Sequence, residues 1–124
     1  LYEVRGWGKG YFSVSQGGNV LVHPTKNPQR SIDLKKLVDT MQHRGFESPI
    51  LFRFTEIIQQ SLGEIHQAFQ NAIREHDYKG GYRCVYPIKV NQQRQVVEEI
   101  LKFGKPYKFG LEAGSKPELL CVMA

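Results

Sequence analysis

Lys89 has the most unusual chemical setting in the sequence, because it lies among apolar residues late in a predicted strand. An isolated buried lysine is rare and costly in proteins. Removal from water favours the neutral, nucleophilic form of an amine, which is the form that a Schiff-base lysine needs. Lys89 is therefore a candidate nucleophile. The alternative is an ordinary lysine whose side chain reaches solvent at the end of the strand.

Two other charged residues, Arg53 and Glu112, lie at the ends of other predicted strands. In folds built from parallel strands the active site lies at the carboxyl ends of those strands, and this rule selects both residues together with Lys89. Glu112 either orients a cofactor cation next to Lys89 or is a solvated carboxylate near a helix N-terminus. Arg53 either points into the mouth of a barrel or pairs with Glu56 on the surface, and the sequence leaves both choices open.

The remaining polar candidates favour structural roles. Ser115 is predicted to be the N-cap of a helix. The histidines at 23, 43, 66 and 76 have no spacing typical of metal ligands, so we expect them to be packed or solvated and predict no metal site. Residues 102–109 interleave basic and aromatic side chains, which is typical of a single-strand nucleic-acid platform. The alternative is that these rings belong to the core and the lysines to a solvated loop.

The elements that precede these candidates are predicted within residues 1–45. Residues 11–22 are predicted to form a β-hairpin, with two short strands that flank a two-residue turn at Gly17 and Gly18. A polar loop with two prolines covers residues 24–30. A helix then begins at Ser31 or Asp33 and ends at Gly45, with apolar residues at helical spacing between them.

Residues 46–124 repeat a strand followed by a helix. Strands are predicted at 50–54, 82–90 and 107–111, and helices are predicted to begin at Thr55, at Asn91 and at the capping box 115–118. Repeats of this length indicate parallel strands joined by helical crossovers, so the fold class is α/β. A doubly wound sheet and a (β/α)8 barrel both fit, and three units are only part of a barrel, which takes roughly 250 residues.

Composition excludes several classes of protein. The 124 residues carry a net charge of +5 and 40% hydrophobic residues, so neither disorder nor a membrane span of ~20 apolar residues is expected. Cys84 and Cys121 cannot form a disulfide framework, and with no signal peptide in view we expect a cytoplasmic protein. The chain starts at Leu1 and stops inside a predicted helix, so we expect it to be a fragment.

Four blocks of the sequence resemble the biosynthetic arginine decarboxylase family, within the alanine-racemase-like decarboxylases that use pyridoxal phosphate. They read WGKGYFSV at 7–14, LFRF at 51–54, YPIKVNQQ at 86–93 and GLEAGSKPEL at 110–119. The extended third block is similar to the arginine enzymes rather than to the ornithine or diaminopimelate enzymes. The resemblance implies an N-terminal part of a (β/α)8 barrel, preceded by a hairpin that belongs to a β-domain.

The resemblance also implies a reaction. Lys89 would carry pyridoxal phosphate as a Schiff base, and Glu112 would be an acidic residue near the cofactor. The full-length protein would decarboxylate L-arginine to agmatine and CO2, the first step towards putrescine and spermidine. It would act as a homo-oligomer, with magnesium known in the family but no magnesium site in this sequence, and without membrane or nucleic-acid partners.

Other hypotheses remain at this point. A related decarboxylase or racemase-like protein of the same fold would share the Lys89 chemistry, and a basic α/β nucleic-acid-binding module would not. The family's phosphate-binding loop and the groups that recognise the guanidinium lie outside these residues, so we expect the fragment alone to be inactive.

Overall fold

The computed structural model describes residues 2–124, which divide into two compact units, the first up to Ile57 and the second from Ile58 to Ala124. The first unit contains α1 (Val4–Gly8), β1 (Phe12–Val14), β2 (Val20–Val22), β3 (Ile32–Asp33) and α2 (Leu34–His43). The second contains most of α3 (Thr55–Glu75), then β4 (Val85–Pro87), α4 (Arg94–Gly104), a 3-10 turn (Lys105–Tyr107), β5 (Gly110–Glu112) and α5 (Lys116–Met123).

The first unit is built on an antiparallel sheet in the order β1-β2-β3. Phe12 pairs with Val22 and Val14 with Val20, which confirms the predicted hairpin. Val22 is completely buried and Tyr11 is almost so. The short strand β3 has no counterpart in the prediction, because its two residues carry no readable alternation.

The turn of the hairpin is longer than predicted. The Ser15 amide donates to the Asn19 carbonyl at 2.8 Å, and the Gly18 amide donates to the Ser15 carbonyl at 3.0 Å. Three residues therefore lie between the last paired residues, and Gly18 takes the left-handed φ of +86° that closes such a loop. The predicted two-residue turn at Gly17 and Gly18 was wrong, because the pairing of Ser15 with Asn19 sets the register.

Asp33, one of the two caps that the sequence allowed, caps α2 with its side chain. Its Oδ1 accepts a hydrogen bond from the Lys36 amide at 3.1 Å, and its Oδ2 accepts one from the Asn19 side chain at 2.9 Å. The bond from Asn19, followed by that from Lys36, lowers the pKa of Asp33. A lowered pKa means that the cap stabilises the fold above the ordinary aspartate pKa and is lost as the pH falls through the lowered value.

The second unit confirms the α/β class, with one pair of parallel strands in place of the three strands that were predicted. Strands β4 and β5 are parallel, and α4 connects them. The buried apolar side chains of this unit are Leu62, Ile88, Val96 and Ile100. Within residues 2–124 the structure therefore contains one parallel strand pair, and a barrel is not evident.

The predicted strands were too long or misplaced. Residues 50–54 form no strand, and Leu51 is 72% exposed. The strand predicted at 82–90 is reduced to Val85–Pro87, and the one predicted at 107–111 begins only at Gly110, after Tyr107 has entered the 3-10 turn. An apolar run forms a strand only beside a partner, because the backbone amides and carbonyls of a strand form their hydrogen bonds with a neighbouring strand.

The start of α4 also differs from the prediction, since the helix begins at Arg94 and not at Asn91. The side chain of Asn91 does not cap α4; its Oδ1 accepts from the Gln93 amide at 3.0 Å, just before the helix begins at Arg94. None of the helices within residues 2–124 has the combined length and apolar character that a bilayer crossing needs.

Gly104→Ala is expected to open the junction between α4 and β5. A Cβ at Gly104 would lie 2.5 Å from the Cβ of Phe109, an atom that side-chain rotation cannot move. Overpacking of this kind costs about 1–3 kcal/mol, equivalent to amide exchange about 5- to 150-fold faster. Hydrogen exchange with mass spectrometry on the full-length protein would measure this over residues 100–112. Gly81→Ala is the control, since a Cβ there meets nothing within 4 Å; equal exchange in both variants would contradict the close packing.

Asp33→Ala is expected to fray α2, whereas Asp33→Asn is expected to retain it. Alanine removes the acceptor for the Lys36 amide, while asparagine is as good an N-cap as aspartate. Exchange over residues 34–43 should be roughly 2- to 30-fold faster in the alanine variant and close to wild type in the asparagine variant. Equal exchange in the two variants would show that the side-chain cap does not hold the helix.

Candidate functional site

The parallel strand pair brings two of the candidate residues to one edge. Pro87 is in register with Glu112, and the Ile88 amide donates to the Glu112 carbonyl at 3.1 Å. Lys89 follows Pro87 by two residues, so Lys89 and Glu112 both lie at the carboxyl edge of the pair. This is the edge at which folds with parallel strands place their active sites.

Pro87 fits this ladder without loss of a hydrogen bond to β5. The amides and carbonyls that face β5 belong to alternate residues of a parallel strand. Cys84 and Ile88 both bond to β5, through the Gly110 amide at 3.0 Å and the Glu112 carbonyl at 3.1 Å. The nitrogen of Pro87 therefore faces the opposite edge of β4, where its missing donor costs no bond in this pair.

A tight turn holds Lys89 immediately after β4. The Val90 amide donates to the Pro87 carbonyl at 3.3 Å and closes the turn. The Tyr86 hydroxyl donates to the Asn91 carbonyl at 3.1 Å. The backbone on both sides of Lys89 is thus fixed, and Lys89 occupies the turn itself.

Lys89 is exposed, and it lies in the turn after β4 and not within the strand. The strand ends at Pro87, and the turn directs successive side chains to different surroundings. Ile88 is 2% exposed, whereas Val90 is 73% exposed. Within residues 2–124 the ammonium of Lys89 has no hydrogen-bond or ion-pair partner. The structure therefore matches the alternative of a lysine that reaches solvent.

Glu112 is half-buried beside the start of α5. Its Oε1 would lie 3.4 Å from a Cβ placed on Gly114. The Glu118 Oε2 lies equally close to that Cβ, at 3.4 Å, and accepts a hydrogen bond from the Gly114 amide at 2.6 Å. Ser115 caps α5 as predicted, because its Oγ accepts from the Glu118 amide at 3.4 Å.

Arg53 does not belong to the strand pair that carries Lys89 and Glu112. It lies in the first unit, within the stretch 50–54, and forms no part of a strand. Its predicted place at the end of a first parallel strand was therefore wrong for the described residues.

The histidines are packed or solvated, and residues 2–124 contain no group of three or more side chains able to hold a metal ion. His23 is buried, and its Nε2 lies 2.7 Å from the Ser13 Oγ. The sequence missed this pair because the two residues become neighbours only through the hairpin register. The Nδ1 of His23 is buried without a hydrogen-bond partner among the described residues, so none of them orients the imidazole to activate Ser13.

Aromatic side chains of the second unit stack on one another. Phe69 stacks on Tyr82 with ring centroids 3.9 Å apart, and His66 stacks on Tyr107 at 4.7 Å. A hydrogen bond with the Cys84 thiol, together with burial, raises the pKa of Tyr82 to about 12.

The basic and aromatic stretch 102–109 is engaged within the fold. Its Tyr107 is stacked on His66, and the Lys102 ammonium lies 5.0 Å from the ring centroid of Phe103. This arrangement favours the structural role predicted as the alternative for the stretch.

The side chains at the carboxyl edge define what the site can do chemically. An accessible primary amine can form a covalent bond to an aldehyde, which fits covalent attachment of an aldehyde cofactor. The Glu112 carboxylate can pair with a cation at the same edge. Sequence reasoning missed the role of Tyr86 in this site, because no sequence signal marks a hydrogen bond that closes a turn.

Ile88→Ala is expected to loosen the turn that carries Lys89. Ile88 is 2% exposed, and truncation of a buried isoleucine to alanine costs about 2–5 kcal/mol. Exchange over residues 86–93 of the full-length protein should rise at least about 30-fold. Val90→Ala is the matched control on the other side of Lys89, since a residue 73% exposed contributes little. Similar exchange in both variants would show that Ile88 does not anchor the turn.

Comparison with known proteins gives one consistent family of relatives. No protein-family model matches the chain. The biosynthetic arginine decarboxylase from Rhodopirellula baltica is 52% identical over 99% of this chain, which corresponds to 18% of its own length. The one from Gloeobacter violaceus is 49% identical over 100% of this chain, which corresponds to 19% of its own length. The crystal structure of the biosynthetic arginine decarboxylase from Campylobacter jejuni matches 97% of this chain and 20% of that protein, with a TM-score of 0.83 and 37% identity.

The chain therefore spans about a fifth of the length of the relatives it matches. Within that fifth the similarity runs from one end of the chain to the other and covers both units. The resemblance stated from four sequence blocks is thus confirmed. The chain is homologous, over its whole length, to one part of the biosynthetic arginine decarboxylases.

Proposed function

We propose that the full-length protein containing this chain decarboxylates L-arginine to agmatine and CO2, as the first step of polyamine biosynthesis. One observation carries the proposal: Lys89 and Glu112 lie at the same carboxyl edge of a parallel strand pair. Homology to arginine decarboxylases over the whole chain supports the same reaction. Lys89 is the attachment site for pyridoxal phosphate in this proposal, and Glu112 is the acidic residue beside it.

Lys89 would hold the cofactor, because its primary amine is a group that can bond to an aldehyde. When bound, pyridoxal phosphate supplies an electron sink for the pair left by the departing CO2. The Lys89 amine could also hold or deliver a proton at the same edge. Its lack of an ion-pair partner within residues 2–124 leaves it free for these roles.

Glu112 contributes charge and orientation. Glu112 is the last residue of β5, and pairing with Pro87 holds its backbone there. A carboxylate carried at this position favours a cation next to Lys89 and orients it. The side chain is half-buried, so its charge is screened less than that of an exposed carboxylate.

The remainder of the full-length protein completes the site in this proposal. Lys89 is exposed in the chain itself, so desolvation of its amine comes from residues outside the chain. The parallel pair is part of a (β/α)8 barrel that begins near residue 46, and residues 1–45 contribute to a β-domain and to the barrel entry. Assembly into a homo-oligomer belongs to the same proposal, and a requirement for magnesium stays a prediction.

Lys89→Arg in the full-length protein is expected to abolish agmatine formation from L-arginine. A guanidinium keeps its charge and cannot form the bond to the cofactor aldehyde. We expect kcat/KM to fall on the order of 10²–10⁴-fold or more, measured as agmatine by chromatography and as released CO2. Lys108→Arg is the matched control, because Lys108 lies before β5, away from the carboxyl edge.

Two results would contradict the proposal. Unchanged activity in Lys89→Arg would exclude Lys89 as the attachment site. Wild-type protein that decarboxylates ornithine or diaminopimelate in preference to arginine would instead identify a related decarboxylase of the same fold. A panel of these amino acids, assayed side by side, separates the two results.

A further inference from the structure

Lys89 lies between two points at which the chain is fixed. Before it, Ile88 is 2% exposed, and its amide bonds to the Glu112 carbonyl of β5. After it, the chain leaves the turn at Asn91, whose carbonyl accepts the hydrogen bond from the Tyr86 hydroxyl. Tyr86 therefore ties the exit of the turn back to the strand that enters it.

The two other hydrogen bonds described near the turn exit do not hold the Asn91 carbonyl. The Val90 amide bonds to the Pro87 carbonyl inside the turn, one residue before Asn91, so this bond does not hold the Asn91 carbonyl. The side chain of Asn91 bonds forward, to the Gln93 amide that precedes α4. The entrance of the turn, by contrast, is secured by the β4–β5 ladder and by the burial of Ile88, neither of which involves the phenol. Loss of the Tyr86 hydroxyl would thus remove the bond that holds the Asn91 carbonyl and leave the strands paired.

We propose that Tyr86 is a positioning residue for Lys89, which holds the amine in the orientation needed for attachment of pyridoxal phosphate. The inference rests on the proposed function, since it concerns the same site. Attachment depends on position, because reacting atoms must be held about 3–3.5 Å apart with aligned orbitals. Tyr86 acts through the backbone at Asn91 and not on the cofactor.

Tyr86→Phe in the full-length protein tests the proposal, with pyridoxal phosphate as the probe. The protein is titrated with pyridoxal phosphate, reduced with borohydride and mapped by peptide mass spectrometry. Attachment joins the Lys89 nitrogen to the aldehyde carbon and releases one water, and borohydride then donates the hydride that makes the bond permanent. The pyridoxal phosphate concentration at half-labelling of Lys89 should rise about 2- to 13-fold, the loss expected for one hydrogen bond.

The labelling pattern separates positioning from general damage to the fold. Label on Lys108, a lysine away from the carboxyl edge in the same samples, should be unchanged. Saturating pyridoxal phosphate should restore full labelling of Lys89 in Tyr86→Phe. Tyr78→Phe is the matched control, because Tyr78 is 62% exposed, and it should label as wild type does.

Several outcomes would overturn the inference. Wild-type protein that labels Lys89 no more readily than Lys108 would remove both the proposed function and this inference. Preferential labelling of Lys89 in wild type, with the same half-labelling concentration in Tyr86→Phe, would remove the inference alone. An equal rise in the half-labelling concentration in Tyr78→Phe would show that loss of a tyrosine hydroxyl acts without regard to its position. Loss of hydrogen-exchange protection throughout the chain in Tyr86→Phe would show that the substitution disturbs the whole fold, and either result would overturn the inference.

Discussion

The hydrogen bond from the Ile88 amide to the Glu112 carbonyl fixes the geometry on which the candidate site depends. It is the last bond between β4 and β5 within the described residues, and it lies in a parallel ladder whose register pairs Pro87 with Glu112. Parallel pairing places the carboxyl ends of both strands at one edge, which antiparallel pairing would not do. Lys89 follows the end of β4 and Glu112 is the last residue of β5, so both lie at one edge because of this pairing.

The same ladder explains why a proline is acceptable next to the site. Only alternate residues of β4 face β5, and Pro87 is not one of them. Its carbonyl remains available to accept the bond from the Val90 amide that closes the turn. Pro87 is the last residue of β4, and the turn that carries Lys89 begins directly after it.

Local signals in the sequence predicted the helices better than the strands. The caps at Asp33 and Ser115 depend on hydrogen bonds that span three residues, so the sequence contains both partners. Strand limits depend on a partner that is distant along the chain, and the strands of residues 46–124 were predicted too long or in the wrong place for that reason. The tie between Tyr86 and Asn91 spans five residues, but it exists only once the turn between them has formed.

The surroundings of Lys89 also depend partly on nearby residues of the chain and partly on residues that are distant in sequence. Apolar residues flank Lys89 in the sequence, yet one neighbour is buried and the other is exposed, so neighbours in the chain do not define its surroundings in space. The backbone that carries the amine is held between Tyr86 and Asn91 by bonds that the chain itself makes. In the proposed site, desolvation of the amine depends on groups that other parts of the full-length protein bring to the carboxyl edge. A change within the turn therefore alters where the amine lies, whereas a change in the covering groups alters its charge, and the two kinds of change are separable by experiment.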